Sequence, residues 1–176
     1  MAWAVNFLDC TFEEKASFLY QYLKMRPSEE KLQKVFRETL SFIVGGLYIC
    51  PQYRYISEGA KKLLNVKCTS DIPLPKKSTS RSAPGITIEH TIPIRLTIDY
   101  LLNLNMNETT KDDLCIFLKK IAGCALITDD ENKSLNKKLI DSLPEEKSIQ
   151  DILNNKIPHE CRYIAANIKV FKNELF

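Results

Sequence analysis

Ile86-Thr87-Ile88-Glu89-His90-Thr91-Ile92-Pro93 is the stretch on which the reading of this chain turns. Ile86, Thr87 and Ile88 are β-branched, which favours extended backbone, so a short strand is expected to run into Glu89 and His90. Pro93 has no amide hydrogen to offer a neighbouring strand, and regular pairing should stop there. Side chains on a strand alternate between its faces. Glu89 and His90 therefore point to opposite sides if the strand continues. They serve one site only if the chain bends at that point, which Pro93 would assist.

Working outward toward the C-terminus, residues 96–104 and 110–122 have helical spacing, and Gly123 closes the second of these. Cys124-Ala125-Leu126-Ile127 is an apolar run of strand length. Thr128 follows with Glu131 three residues on, the spacing of a capping box. It opens a helix expected to run from Asp129 to about Leu143, stopped by Pro144. Residues 148–176 hold one helical stretch and a final strand, 167–171.

Toward the N-terminus the character changes. Residues 65–85 carry Pro73, Pro75, Pro84 and Gly85 with Lys76, Lys77 and Arg81, a basic loop with few apolar anchors. It marks the expected boundary between a helical region, 1–66, and a core spanning 86–176, with the loop itself at 67–85. Within the first region Thr11 caps a helix over residues 11–26. Pro27 ends it. Ser28 begins a second helix with the apolar stripe Leu32, Val35, Phe36, Leu40 and Ile43, which Gly45-Gly46 should break or bend. Residues 50–55 read as an aromatic turn, and Ser57 caps a short helix through Leu64.

Composition narrows the class without naming a function. The chain has 176 residues, 44% hydrophobic and 27% charged, with a formal net charge of +3. These are ordinary values for a globular protein, and they argue against an acidic mimic of DNA. A mild positive balance permits nucleic-acid binding without requiring it. The six cysteines form no C-x-x-C pair, and only His90 and His159 could join them, so a structural zinc site is not expected. Free thiols fit a reducing, cytoplasmic setting. No run is long enough to span a bilayer, and the first residues lack the basic start of a signal peptide.

Taken together, a strand ending in Glu89-His90-Thr91-Ile92-Pro93, a later apolar strand, and a Thr128-capped helix carrying Asn132 resemble the ββα-metal pattern of HNH endonucleases. The opening element of that family is an acidic residue or His, then His, two residues and Pro. The closing element is a strand leading through Thr into a helix whose first turn holds a His or Asn. Downstream, Cys161-Arg162-Tyr163-Ile164-Ala165-Ala166-Asn167-Ile168 is similar to a run that follows the core in some HNH-like proteins. Asn167 stands where Gly is expected, and both residue types tolerate left-handed backbone. The middle Asn of the family name would fall near Gly123, leaving Asn103 or Asn105 as substitutes.

The resemblance implies an α+β protein with a helical N-terminal part and an HNH-like core. It implies a metal-dependent endonuclease that hydrolyses phosphodiester bonds, in DNA in preference to RNA. His90 would be the general base, because imidazole titrates near neutrality. Glu89 and Asn132 would hold Mg²⁺ or Mn²⁺ through hard oxygen donors, with Asp130 or Glu131 open as replacements for Asn132. Lys76, Lys77, Arg81, Arg95 and Lys133 would contact the phosphate backbone. Small stand-alone members act in restriction, phage defence or toxin systems, with a protein partner or a homodimer in keeping. An inactive HNH-fold binding protein, acting as inhibitor or anti-defence factor, and an RNA-cleaving toxin are the alternatives. Three further readings come from the residues alone. Tyr53, Arg54 and Tyr55 either stack on bases or form a structural turn. Arg162 and Tyr163 are expected to brace the core in preference to touching substrate. His159 has no evident partner.

Overall fold

The computed structural model describes residues 10–48, 53–67 and 81–173. The described residues begin with two helices, α1 (Phe12–Lys24) and α2 (Glu30–Tyr48). Thr11 opens α1 with a full capping box to Glu14, worth about 1 kcal/mol. Helix α2 passes through Gly45 and Gly46 instead of breaking there. Leu40 and Val44 are buried in the core on this helix, and Gly45 lies close to the Ile94 side chain. Tertiary packing overrides the poor helix propensity of glycine at this point.

A short strand, β1 (Tyr55–Ser57), replaces part of the expected aromatic turn, and Ser57 caps α3 (Glu58–Leu64) as anticipated. The last part of the stretch expected to be loop, 67–85, is instead a strand, β2 (Arg81–Ala83), which turns through Pro84-Gly85 into β3 (Ile86–His90). Gly85 has a φ of 78°, a left-handed conformation that suits glycine. Helices α4 (Ile94–Leu102) and α5 (Lys111–Ile121) follow, then β4 (Cys124–Thr128) and α6 (Asp129–Leu139). The chain closes with α7 (Ile149–Leu153), α8 (Cys161–Ala165) and β5 (Val170–Lys172). The expected single helix after residue 148 is thus two, and α6 ends four residues before the position expected for it.

The strands form one sheet in the order β2-β3-β4-β1-β5. Strand β1 is parallel to β4 and antiparallel to β5, while β3 is antiparallel to both β2 and β4. The architecture is α+β. The strand from before the basic loop sits inside the sheet, next to β4. The helices before the loop also share one apolar core with those after it, for Ala16, Leu19, Leu40 and Val44 pack with Ile98, Leu114, Leu118 and Ile152.

The sheet has two apolar faces. One carries Ile56, Ile86, Cys124 and Leu126 toward α3. The other carries Tyr55, Ala125 and Ile127 toward Leu135 of α6 and Tyr163 of α8. Asn167 follows α8 with a φ of 58°, the left-handed conformation expected of it. Among the described residues no helix is long and apolar enough to cross a membrane. Cys115 and Cys161 are buried thiols, and Cys124 is buried with its sulfur beside the His90 ring.

Candidate functional site

Glu89 lies opposite Ala125 and His90 opposite Cys124 in the β3–β4 ladder. Residues paired across a ladder share a face, so the Glu89 side chain stands on the α6 side. His90 stands on the α3 side, its Nδ1 3.6 Å from the Cys124 sulfur. The ladder runs through His90, and one further backbone bond follows it, the Thr91 amide donating to the Gly123 carbonyl at 3.1 Å. The strand stays paired through both residues and the chain bends only after them, at Thr91 and Ile92, so the two side chains stand on opposite faces of the sheet.

Glu89 is held by an arginine from α8. Arg162 Nη1 donates to Glu89 Oε1 at 3.1 Å and to the His90 carbonyl at 2.9 Å, while Nη2 donates to the Leu139 carbonyl at 3.1 Å. Arg162 is 1% exposed, so its charge is compensated inside the protein, as a buried guanidinium requires. The Glu89 side chain is 20% exposed. Burial raises the Glu89 pKa, Arg162 offsets part of that rise, and the carboxylate of Asp141 adds to it.

Burial, followed by the charge of Arg162, pushes the His90 pKa down to about 4. The imidazole is neutral at neutral pH. A base that weak takes a proton from water poorly, because catalytic pKa values work best near the operating pH.

Asn132 occupies the first turn of α6, where Thr128 and Glu131 form the anticipated capping box. Its Oδ1 accepts from Asn136 Nδ2 at 3.3 Å. Glu89 and Asn132 as arranged do not fit a Mg²⁺ or Mn²⁺ ion. Such an ion takes a near-octahedral set of oxygens, and it would have to sit beside a guanidinium that does not lose its proton, against Coulomb repulsion. Among the described residues no group of three or more His, Cys, Asp or Glu is placed to share an ion. Asp129 accepts from the Thr87 hydroxyl at 2.6 Å, and Glu131 accepts from the Ser57 hydroxyl at 2.5 Å. Both expected replacements for Asn132 are otherwise engaged, since Asp130 pairs with Lys133 at 2.9 Å.

The expected phosphate contacts are scattered. Lys76 and Lys77 lie outside the described residues, and Arg81 pairs by its backbone with Thr87 at the sheet edge. Arg95 is exposed in the first turn of α4.

A second polar centre, not anticipated as a unit, lies at the other end of β1. Arg54 Nη1 donates to the carbonyls of Lys120 at 3.0 Å and Ala122 at 2.9 Å, and lies 3.3 Å from His159 Nε2. His159 Nε2 is also 3.2 Å from the Ile121 carbonyl. Its ring stacks on Tyr55, whose hydroxyl donates to Glu160 at 3.0 Å. Burial, then the charge of Arg54, pushes the His159 pKa down to about 3. Tyr53 and Tyr55 are both buried, so neither offers a ring to a base.

Beside Arg54 and His159 opens a cleft of about 440 Å³, bounded by α7, the segment after it and the last turn of α5. The signal for it in the sequence was only Arg54 between two tyrosines and a lone His159. Their partners are 38 to 105 positions away in the chain. The chain matches no family model, no curated protein and no solved structure.

Proposed function

We propose that the protein binds nucleic acid through an HNH-like β-β-α unit that has kept its shape without the nuclease chemistry. In this reading β3, β4 and α6 are that unit, with α4 and α5 inserted between its strands. One observation carries the proposal: the buried Arg162 guanidinium bridges Glu89, the end of β3 and the end of α6. An internal cation thereby joins the elements that a bound metal would be expected to join. Glu89 is a structural anchor and His90 a packed, neutral side chain. The partner class follows from the resemblance, DNA in preference to RNA, and from the mild positive charge of the chain. An inhibitory or anti-defence role by occupancy is in keeping with binding without hydrolysis.

The test is a mobility-shift assay beside a plasmid and RNA cleavage assay with Mg²⁺ or Mn²⁺, on the wild type and His90→Ala. The expected outcome is a salt-sensitive shift of DNA with no cleavage by either protein. Metal-dependent cleavage that His90→Ala abolishes would replace this proposal with the endonuclease that the resemblance implies. Absence of any shift at low salt would remove nucleic acid as the partner.

A further inference from the structure

The cleft beside Arg54 lies apart from the Glu89–Arg162 anchor and has a composition of its own. Three cationic side chains line it: Arg54, Lys120 and Lys156. Among the described residues that line it there is no carboxylate. Two acids flank the lining: Glu160, next to His159, which accepts from the Tyr55 hydroxyl at 3.0 Å, and Asp151. Asp151 Oδ2 accepts from the Ser148 amide and hydroxyl at 2.9 and 2.8 Å, and Asp151 Oδ1 is 3.8 Å from Lys156 Nζ. Lys120 Nζ donates to the Leu153 carbonyl at 3.0 Å, a neutral acceptor that leaves its charge uncompensated. Arg54 is held in place by the two backbone carbonyls its Nη1 reaches, so its cation is pre-positioned at the cleft wall. Burial is the main cause of the lowered His159 pKa, and the charges of Arg54 and Lys172 lower it further.

The rest of the lining is different in kind. Ile152 and Ile157 give an apolar floor, and Asn155 adds one amide that both donates and accepts. A cleft with clustered cations, an apolar wall and one amide has the parts that a phosphorylated aromatic ligand requires. The cations take the phosphate, the isoleucines take the face of a base, and the amide meets the base edge. Its volume of about 440 Å³ is within the range of small-molecule sites.

We infer that this cleft is a nucleotide site, taking a nucleoside monophosphate either free or as the terminal unit of a strand. The inference does not depend on the β-β-α reading, but its strand-bound form joins that reading, because it would place a strand end against α7.

The experiment is titration calorimetry on the full chain with three probes: AMP, inorganic phosphate and a short single-stranded DNA. Wild type is compared with the double variant Lys120→Ala/Lys156→Ala and with Lys34→Ala, an exposed lysine on α2 away from the cleft. Thermal melts confirm that each variant folds. The expected result is AMP binding tighter than inorganic phosphate. The double variant should weaken it by about tenfold or more, the loss of one or two charge-assisted contacts, with Lys34→Ala unchanged. The assignment is overturned if AMP does not bind, if it binds no tighter than phosphate, or if the double variant binds it as the wild type does. AMP binding without DNA binding supports a free nucleotide here and counts against the nucleic-acid reading. DNA binding without AMP binding removes the nucleotide site and leaves that reading standing.

Discussion

Arg162 and Glu89 form an ion pair at 3.1 Å in which the arginine is buried and the glutamate is half-buried. The arginine also takes the carbonyls of His90 and Leu139, so one side chain of α8 ties the end of β3 to the end of α6. Removing a partner from such a pair leaves a buried charge without compensation, and that is costlier than replacing both. Arg162→Met is expected to destabilise the fold by about 3 kcal/mol. The double variant Glu89→Met/Arg162→Met should recover a substantial part of that loss. Urea unfolding of the four proteins of this cycle measures the coupling. Additive single effects would show that the pair is not the anchor described.

The same arginine explains part of what the sequence could not reveal. Helix α6 was expected to reach about Leu143 because Pro144 is the nearest local stop. It ends at Leu139, where the carbonyl goes to Arg162 and Asp141 takes a left-handed φ of 51°. That terminus is set by a residue 23 positions away. Strand β3 was legible because β-branched residues and Pro93 act locally. The capping boxes at Thr11 and Thr128 were legible for the same reason. Strand β1 is only three residues long, and its pairing is fixed by β4 and β5, far along the chain. No local pattern announces it. The alternation of Glu89 and His90 was legible only on the condition that the strand continues through them. Whether the strand bent there depended on its ladder with β4, which the sequence does not state.

His159 supplies a pH dependence. Its pKa in the fold is about 3, against 6.5 for the free side chain. Below pH 6.5 the unfolded chain takes up a proton that the folded chain refuses until about pH 3. Its contribution to stability is therefore complete above pH 6.5 and is lost as pH falls toward 3. Chemical denaturation at pH 7 and pH 4.5 should show acid destabilisation on the order of a kcal/mol or more from this group. His159→Gln should flatten the dependence over that window while lowering stability at pH 7. An unchanged slope would mean that the imidazole is not held neutral by its surroundings.

Glu131 joins two elements that the sequence treated separately. Its Oε2 accepts from the Thr128 amide at 2.8 Å, closing the capping box, and from the Ser57 hydroxyl at 2.5 Å, the residue that caps α3. Charge-assisted hydrogen bonds of this kind contribute about 1.5–3 kcal/mol each. Glu131→Ala is expected to cost more than the loss of a helix cap alone, about 1 kcal/mol. Glu131→Gln, which keeps an acceptor oxygen, should cost less. Thermal melts of the two variants beside Ser57→Ala separate the contributions. A Glu131→Ala effect no larger than a cap would show that the Ser57 contact is energetically silent.

Gly123 is the position where the fold and the nucleotide cleft depend on the same atom. A Cβ added there would meet Arg54 Cδ at 2.7 Å and Arg54 Cβ at 3.0 Å. Cβ sits next to the backbone and cannot swing away as a side-chain tip does, so Arg54 and the chain before β1 would have to move. Gly123→Ala is therefore expected to destabilise the protein by about 1–3 kcal/mol, the usual cost of overpacking. It should also weaken AMP binding, because the Arg54 cation leaves the carbonyls of Lys120 and Ala122 that position it. Gly59→Ala serves as the comparison. Its added Cβ would meet the Glu131 side chain at 2.9 Å, on the α3 side and remote from the cleft. A loss of stability in both with a loss of AMP binding only in Gly123→Ala is the expected pattern. Equal AMP binding by the two variants would separate Arg54 from the cleft and leave its role purely structural.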